Sequence, residues 1–279
     1  MKKTISLLAY LLFICLLTII TQIGGVAYLV YLSLKHFSIR KKWITKPARW
    51  KSLILFFIVY CFISFVIVPP VANQFGRTPL PVFSNKNLPV KPANLLTVVS
   101  NRHYVRPEMK EMLASVSQKM NDDYPAFQLL YLDANFPFMD GFPLLPHLSH
   151  DDGKKLDLAF LYKHRSDEPA FGKSPSWLGY GVCEQPKPGE FDQPGACSEK
   201  GHWQYSALEQ ITPKIGSSKL EFDNHLNAKL IKIITQHPKV KKVFIEPHLK
   251  TRLGLTNNRK VRFHGCHAVR HDDHIHLEL

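Results

Sequence analysis

Acidic residues are missing from the first part of this chain. The first of its 22 aspartate and glutamate residues is Glu108, whereas 14 of its 36 lysine and arginine residues come earlier. The remainder is balanced, with 22 residues of each sign, so the formal net charge of +14 belongs to the N-terminal part alone. No basic stripe or known reader motif follows it. The composition therefore argues against nucleic-acid binding.

Cysteine is also scarce, with five residues and no Cys-x-x-Cys pair, which argues against a structural zinc finger. Cys15 and Cys61 lie in apolar runs and are expected to act as small apolar side chains. A disulfide between Cys183 and Cys197 would close a Pro- and Gly-rich loop and stabilise it by roughly 3 kcal/mol in an oxidising compartment. Cys266 could equally pair with either of them, so the connectivity stays open.

Charge is absent from two long apolar runs, residues 5–34 and 53–68, which predict two transmembrane helices. Seven basic residues lie in the segment 35–51 between them. By the positive-inside rule this segment is expected in the cytoplasm, with both termini on the outer side. A cleaved signal peptide is the alternative, because Lys2 and Lys3 precede Leu-rich sequence. No clear cleavage site follows, and a second apolar run does.

The composition divides the chain into three parts: two transmembrane helices within 1–70, a Pro-rich linker over 71–95, and a folded domain over 96–279. Prolines at the density of the linker favour extended, semi-rigid backbone. The stretch 163–213 is rich in Pro, Gly and Trp without periodicity. We interpret it as an insertion, which is either a lid over a site or a decorative loop.

Hydrophobic periodicity predicts the elements of the folded domain. Helices are predicted over 107–120, 218–237 and 247–253. Strands are predicted over 127–132, 156–162, 240–246 and the last residues of the chain.

The C-terminal strand carries the strongest chemical signal. Its residues alternate, so His274, His276 and Glu278 share one face while apolar side chains share the other. Imidazole is a common metal ligand and transfers protons near neutral pH, so the pair suggests a ligand beside a base. The alternative is a His-rich tail with adventitious metal affinity.

A second group of possible metal ligands lies upstream of the C-terminal strand. It is the His- and Asp-bearing turn 147–157, which leads into a predicted strand. One histidine and one carboxylate from this turn, with one imidazole from the C-terminal strand, would make a three-ligand zinc site. A fourth position open to water is typical of catalytic zinc. Asp151, Asp152, Asp272 and Asp273 are expected either to be solvated or to orient a ligand imidazole.

Two motifs now resemble a known family. His147-x-Ser149-His150-x-x-Gly153-x-x-x-Asp157 and His271-Asp272-x-His274-x-His276 resemble the paired signature of the LAS metallopeptidases, most closely the penicillin-insensitive murein endopeptidases. The segment 243–247 with its following helix is similar as well. The resemblance spans about residues 96–279. Lysostaphin-like peptidases use the same residue types, but their His and Asp are closer in sequence than His150 and Asp157.

This resemblance implies an α+β fold of the hedgehog/DD-peptidase kind, a small antiparallel sheet with flanking helices. It implies zinc held by His150, Asp157 and His276.

The resemblance also implies catalytic roles for three histidines. His274 would be the general base, His271 would orient water or stabilise the oxyanion, and His147 would be a further active-site residue. Among the neighbouring carboxylates, Asp272 matches the family pattern best.

The implied function is that of a membrane-anchored, zinc-dependent endopeptidase that hydrolyses D-alanyl bonds in peptidoglycan cross-links. The catalytic domain would lie on the periplasmic or extracytoplasmic side of the inner membrane. A D-Ala-D-Ala carboxypeptidase or dipeptidase of the same fold is the alternative enzyme. An inactive zinc-bearing domain that binds cell-wall peptides is the alternative from another class. The two helices depart from the family, whose soluble members are secreted through a cleaved signal.

Overall fold

The computed structural model describes residues 2–41, 48–206, 209 and 220–279. Within them the chain is α+β: three N-terminal helices precede a domain in which helices flank mixed sheets. The predicted basic loop 35–51, insertion 163–213 and helix 218–237 each lie partly outside the described residues.

The first apolar run forms a helical hairpin, so the prediction of one transmembrane helix over 5–34 is wrong. Helix α1 (Lys2–Thr21) ends where the backbone reverses at Gln22, which has a φ of +63°, and α2 (Gly24–Arg40) runs back along it. Gly24 permits this close approach, because a Cβ there would lie 2.9 Å from the Leu17 carbonyl oxygen.

The second apolar run forms α3 (Arg49–Gln74), as predicted. Among the described residues α3 alone, with 26 residues, is long and apolar enough to cross a membrane. A wide π-type turn at Ile63–Ile67 precedes Pro69 and Pro70. This turn suits the two prolines, because neither can donate a helical backbone hydrogen bond.

The three helices direct one end of their bundle at the domain. Gln22 Oε1 accepts a hydrogen bond from the Phe138 backbone N–H at 2.9 Å, and Tyr60 Oη accepts one from Asn101 Nδ2 at 3.0 Å. The start of α1 therefore lies at the other end, where α2 ends at Arg40 and α3 begins at Arg49. The start of α1 and the domain thus lie at opposite ends of the bundle, and the side of a membrane that each end faces stays a prediction.

The predicted linker 71–95 is part of the folded domain rather than a free tether. It supplies β1 (Thr78–Pro79) and β2 (Val90–Pro92), and it buries Leu80 and Leu88 in the core.

A six-stranded sheet organises the domain. Its strands in spatial order are β2, β4 (Leu129–Tyr131), β5 (Lys155–Ala159), β10 (His274–Glu278), β8 (Lys242–Phe244) and β9 (Val261–Arg262). Two further pairs join β1 to β3 (Tyr104–Val105) and β6 (Tyr162–Lys163) to β7 (Glu221–Phe222). Strand β10 is antiparallel to both neighbours, whereas β2–β4 and β8–β9 are parallel. The sheet is therefore mixed, which corrects the predicted antiparallel sheet.

Two amphipathic helices cover one face of this sheet. Helices α5 (Pro107–Asp123) and α7 (Asn224–Gln236) pack apolar stripes against Ile275 and Leu277 of β10. Each large apolar side chain buried in this way contributes about 1.5–3 kcal/mol. Within the described ranges the domain also has three shorter α-helices, α4 (Leu95–Val99), α6 (Gln193–Glu199) and α8 (Pro247–Arg252), and a 3-10 helix at Trp203–Ser206. The histidines of β10 therefore lie on the opposite face of the strand, as the alternation of polar and apolar residues predicts.

Candidate metal centre

The pairing of β10 with β5 brings together residues that are far apart in sequence. His276 lies directly opposite Asp157, so their side chains leave the same face of the sheet as neighbours. His276 Nδ1 is 2.9 Å from Asp157 Oδ1. Both residues are almost completely buried.

His150 reaches the same point from a tight turn. Gly153 has a φ of +81° and donates its backbone N–H to Asn135 Oδ1 at 3.0 Å, which fixes the turn. His150 Nδ1 lies 2.6 Å from the Ala134 carbonyl oxygen and donates to it. The other ring nitrogen, Nε2, faces Asp157 Oδ1 at 3.3 Å and is placed to serve as a metal ligand.

These three residues fit a metal ion. His150 Nε2 also lies 3.1 Å from His276 Nδ1, so the three candidate ligand atoms are 2.9–3.3 Å apart. Tetrahedral ligands about 2.0–2.2 Å from one ion would be about 3.4 Å apart. Among the described residues, no hydrogen-bond donor reaches Asp157 Oδ1. An unsolvated carboxylate oxygen that faces two imidazole nitrogens is what a bound divalent cation would satisfy.

The charge state of Asp157 supports this interpretation. Burial raises the pKa of this carboxyl group, but the imidazoles of His150, His274 and His147 outweigh burial and hold the pKa well below its usual range. Asp157 is therefore a carboxylate inside the protein. Two imidazoles and a carboxylate suit several divalent metals, and the donor set alone does not select one of them.

His274 lies beside this triad with one ring nitrogen available. Its Nδ1 contacts Asp273 Oδ1 at 2.5 Å, while its Nε2 is 3.7 Å from Asp157 Oδ1 and has no hydrogen-bond partner among the described residues. Burial lowers the pKa of His274, but the carboxylates of Asp157 and Asp273 raise it to about 9.

His271 and His147 complete the set of predicted residues. The backbone N–H of His271 donates to Glu246 Oε1 at 3.0 Å, and burial holds the pKa of the imidazole well below its usual value, so that ring is neutral. His147 Nδ1 is 2.9 Å from Asp157 Oδ2. All six predicted site residues therefore converge. They form two neighbouring groups that could each hold a metal ion: His271, His274 and His276 in one, and His147, His150 and Asp157 in the other.

Sequence reasoning missed the role of Tyr180, which comes from the predicted insertion. Its hydroxyl donates to Asp157 Oδ2 at 2.8 Å and accepts from the Asp133 backbone N–H at 3.0 Å. Burial raises the pKa of Tyr180 well above its usual value, so the hydroxyl keeps its proton. No local motif marks this tyrosine.

The sequence-based choice of Asp272 as the carboxylate that orients an imidazole is also corrected. Asp272 binds the Arg270 guanidinium at 2.5 Å, whereas Asp273 is the carboxylate that holds His274. The two aspartates point to different partners because successive backbone positions direct their side chains apart.

An open cleft of about 390 Å³ gives access to the histidines. Its rim includes Trp203, which is 78% exposed, and the loop that carries His264 and His267. A disulfide between Cys197 and Cys266 ties this loop to α6. Cys183 has a free thiol, so the Cys183–Cys197 alternative is excluded.

No protein-family model matches the chain, and no curated protein matches it. The functional assignment therefore depends on the site itself.

Proposed function

We propose that this chain is a membrane-anchored, zinc-dependent peptidase of the LAS type that hydrolyses D-alanyl bonds in peptidoglycan cross-links. The observation that carries the proposal is the convergence of His150 Nε2, Asp157 Oδ1 and His276 Nδ1 within 2.9–3.3 Å. The unpartnered Nε2 of His274 beside them adds the base that hydrolysis needs. The proposed substrate class follows from the two motifs, which resemble those of the murein endopeptidases.

Zinc held by His150, Asp157 and His276 would polarise a scissile carbonyl and lower the pKa of a water molecule to about 7. His274 would accept the proton of the attacking water at Nε2, because its Nδ1 is engaged by Asp273. A divalent cation on Asp157 would oppose the rise in the pKa of His274, since positive charge disfavours the imidazolium. The pKa would then move toward the neutral range that a general base requires.

His271 and His147 are placed to assist at the substrate. The neutral imidazole of His271 has its Nδ1 without a partner among the described residues, and it lines the cleft. An N–H at this position could donate to the carbonyl oxygen as negative charge develops. His147 presents its unpartnered Nε2 from the opposite wall, where it could contact the peptide.

The anchor supports a position at the inner membrane with the domain outside the cytoplasm. Arg40 at the end of α2, Arg49 at the start of α3 and the start of α1 share the end of the helical bundle that lies away from the domain. Basic residues favour the cytoplasmic side, so this end would face the cytoplasm. A disulfide in the domain suits an oxidising compartment.

The full chain in detergent, loaded with zinc, should convert cross-linked peptide dimers of intact peptidoglycan into monomers. Mass spectrometry of the released fragments distinguishes this result from loss of terminal D-alanine, which would indicate the carboxypeptidase. The His150→Ala variant, which lacks a proposed ligand, is the control and should release nothing. A well-folded protein that binds zinc without either product would contradict the peptidase proposal and favour a binding domain.

A further inference from the structure

A second cavity, of about 410 Å³, lies between the N-terminal helices and the candidate metal centre. His147 lines both this cavity and the catalytic cleft. Tyr180, on its wall, donates to Asp157. Its opposite wall includes Ile20 of α1 and Leu96 of α4. The cavity therefore joins the surface of the apolar anchor to the metal centre.

The two ends of this cavity differ in polarity. At the metal end, Arg102 Nη2 and Asp133 Oδ2 form an ion pair at 2.8 Å, next to His147. At the anchor end Ile20 and Leu96 contribute apolar surface, beside the polar side chains of Asn94, Thr97 and Ser100. A molecule with a polar group and an apolar chain fits with its polar group at the ion pair and its chain against Ile20 and Leu96.

Helix α4 contacts α3 within the apolar stretch of α3. Tyr60 of α3 donates its hydroxyl to the Val99 carbonyl oxygen of α4 at 2.5 Å. At 1.5 Å per residue, Tyr60 lies about 20 Å before the end of α3 at Gln74. The lipid-facing residues of α3 continue beyond Tyr60 as far as Ile67, which is 45% exposed. A bilayer around α3 would therefore reach α4.

Large apolar side chains are exposed at Leu96, which lines the cavity, and at neighbouring residues that do not line it. Leu95 and Leu96 of α4 are 64% and 49% exposed, and Leu145 and Leu148 of the loop before His150 are 55% and 59% exposed. An apolar patch that continues the surface of a membrane-spanning helix is suited to contact with lipid rather than water.

We propose that this cavity takes the apolar chain of a membrane-anchored substrate, and that the enzyme acts on D-alanyl peptides still attached to a lipid. The chain lies against Ile20 and Leu96, and the polar part passes Arg102 to reach the metal centre. The substrate class rests on the proposed function, whereas the binding of an apolar chain rests on the cavity alone.

The test uses the full chain in phospholipid nanodiscs with zinc. A cross-linked D-alanyl peptide carrying a palmitoyl chain is compared with the same peptide without it. We expect kcat/KM to be about tenfold higher for the acylated peptide, a gain that the burial of two methylene groups would supply. Leu96→Trp, which fills the cavity, should abolish this preference and leave cleavage of the soluble peptide unchanged.

The matched control is Leu95→Trp, a neighbouring change on the same helix that does not line the cavity. It should keep the tenfold preference. Equal effects of the two tryptophan variants, or no preference in the wild type, would overturn the proposal.

A second measurement does not depend on cleavage. The acylated peptide with a diazirine in its chain should label the segment 94–102, and the unlabelled acylated peptide should compete. If a phospholipid bearing the same diazirine labels this segment equally well, the cavity holds bulk lipid and the proposal is wrong. If neither peptide is cleaved, the proposed function fails, and the labelling still decides whether the cavity binds the chain of the peptide.

Discussion

At the scale of single residues, the two imidazoles of β10 make contacts that separate their roles. His276 faces Asp157 and His150, whereas His274 is held by Asp273 and leaves its Nε2 open. We predict that His274→Ala keeps bound zinc but lowers turnover by about 10²- to 10⁴-fold, the usual contribution of a general base. His276→Ala should lose both the bound zinc and the turnover.

Metal content after dialysis and the rate of peptide release, measured on the same samples, separate these outcomes. A His274→Ala protein with normal turnover would remove this residue from the mechanism. Loss of zinc from that variant would instead make His274 a ligand.

Tyr180 should matter for metal affinity, although it is not a candidate ligand. Its hydroxyl donates to Asp157 Oδ2 and so fixes the orientation of the carboxylate. Removing such a supporting hydrogen bond typically weakens metal binding by about 10- to 100-fold. We predict a loss of this size for Tyr180→Phe in a competition titration with a zinc chelator. The matched control is Tyr131→Phe, whose lost hydrogen bond, to the Pro81 carbonyl oxygen, lies away from the site; equal losses would refute the prediction.

These residues also show which parts of the site could be predicted. His147, His150 and Asp157 follow one another closely in the chain, and His271, His274 and His276 do so too, so short motifs contain them all. Tyr180 arrives through an aperiodic loop, and Asp133 follows β4, the strand that pairs with β5 on the side away from β10. Their positions depend on long-range packing, which local spacing does not record.

At the scale of elements, the alternation in β10 predicts which side chains face the core and which face the site. The sequence did not predict which strand pairs with β10. The pairing with β5 joins residues more than a hundred positions apart. The hairpin of α1 and α2 was missed for a different reason. Hydropathy counts the run 5–34 as one apolar segment, although Gln22 and the adjacent Gly24 and Gly25 interrupt it.

The disulfide between Cys197 and Cys266 should stabilise the domain and hold one rim of the cleft. It closes a loop across a sequence separation of 69 residues, which corresponds to a stabilisation of up to about 4 kcal/mol from restriction of the unfolded chain. We predict that dithiothreitol lowers the melting temperature of the wild-type protein. Cys266→Ser should melt at this lower temperature with or without the reductant. Insensitivity of the wild-type protein to reduction would contradict the prediction.

At the scale of the whole molecule, the anchor and the metal centre meet through one segment. Residues 133–153 contain the backbone N–H of Phe138, which contacts Gln22 at the tip of the α1–α2 hairpin. The same segment supplies His147 and His150 to the site. The N-terminal helices therefore pack against the segment that carries two of the candidate site residues.

The boundary of the independently folding part follows from this organisation. A fragment of residues 75–279 keeps β1 and β2, along with the buried Arg77, which binds the Phe136 carbonyl oxygen. A fragment of residues 96–279 loses edge strand β2 and the side chains of Leu88 and Val90 from the core, at about 1.5–3 kcal/mol each. This loss is a large part of the 5–15 kcal/mol that stabilises a typical domain. We predict that the longer fragment unfolds cooperatively and binds zinc, whereas the shorter one does neither. Equal melting temperatures would show that β2 is dispensable and that the domain begins after it.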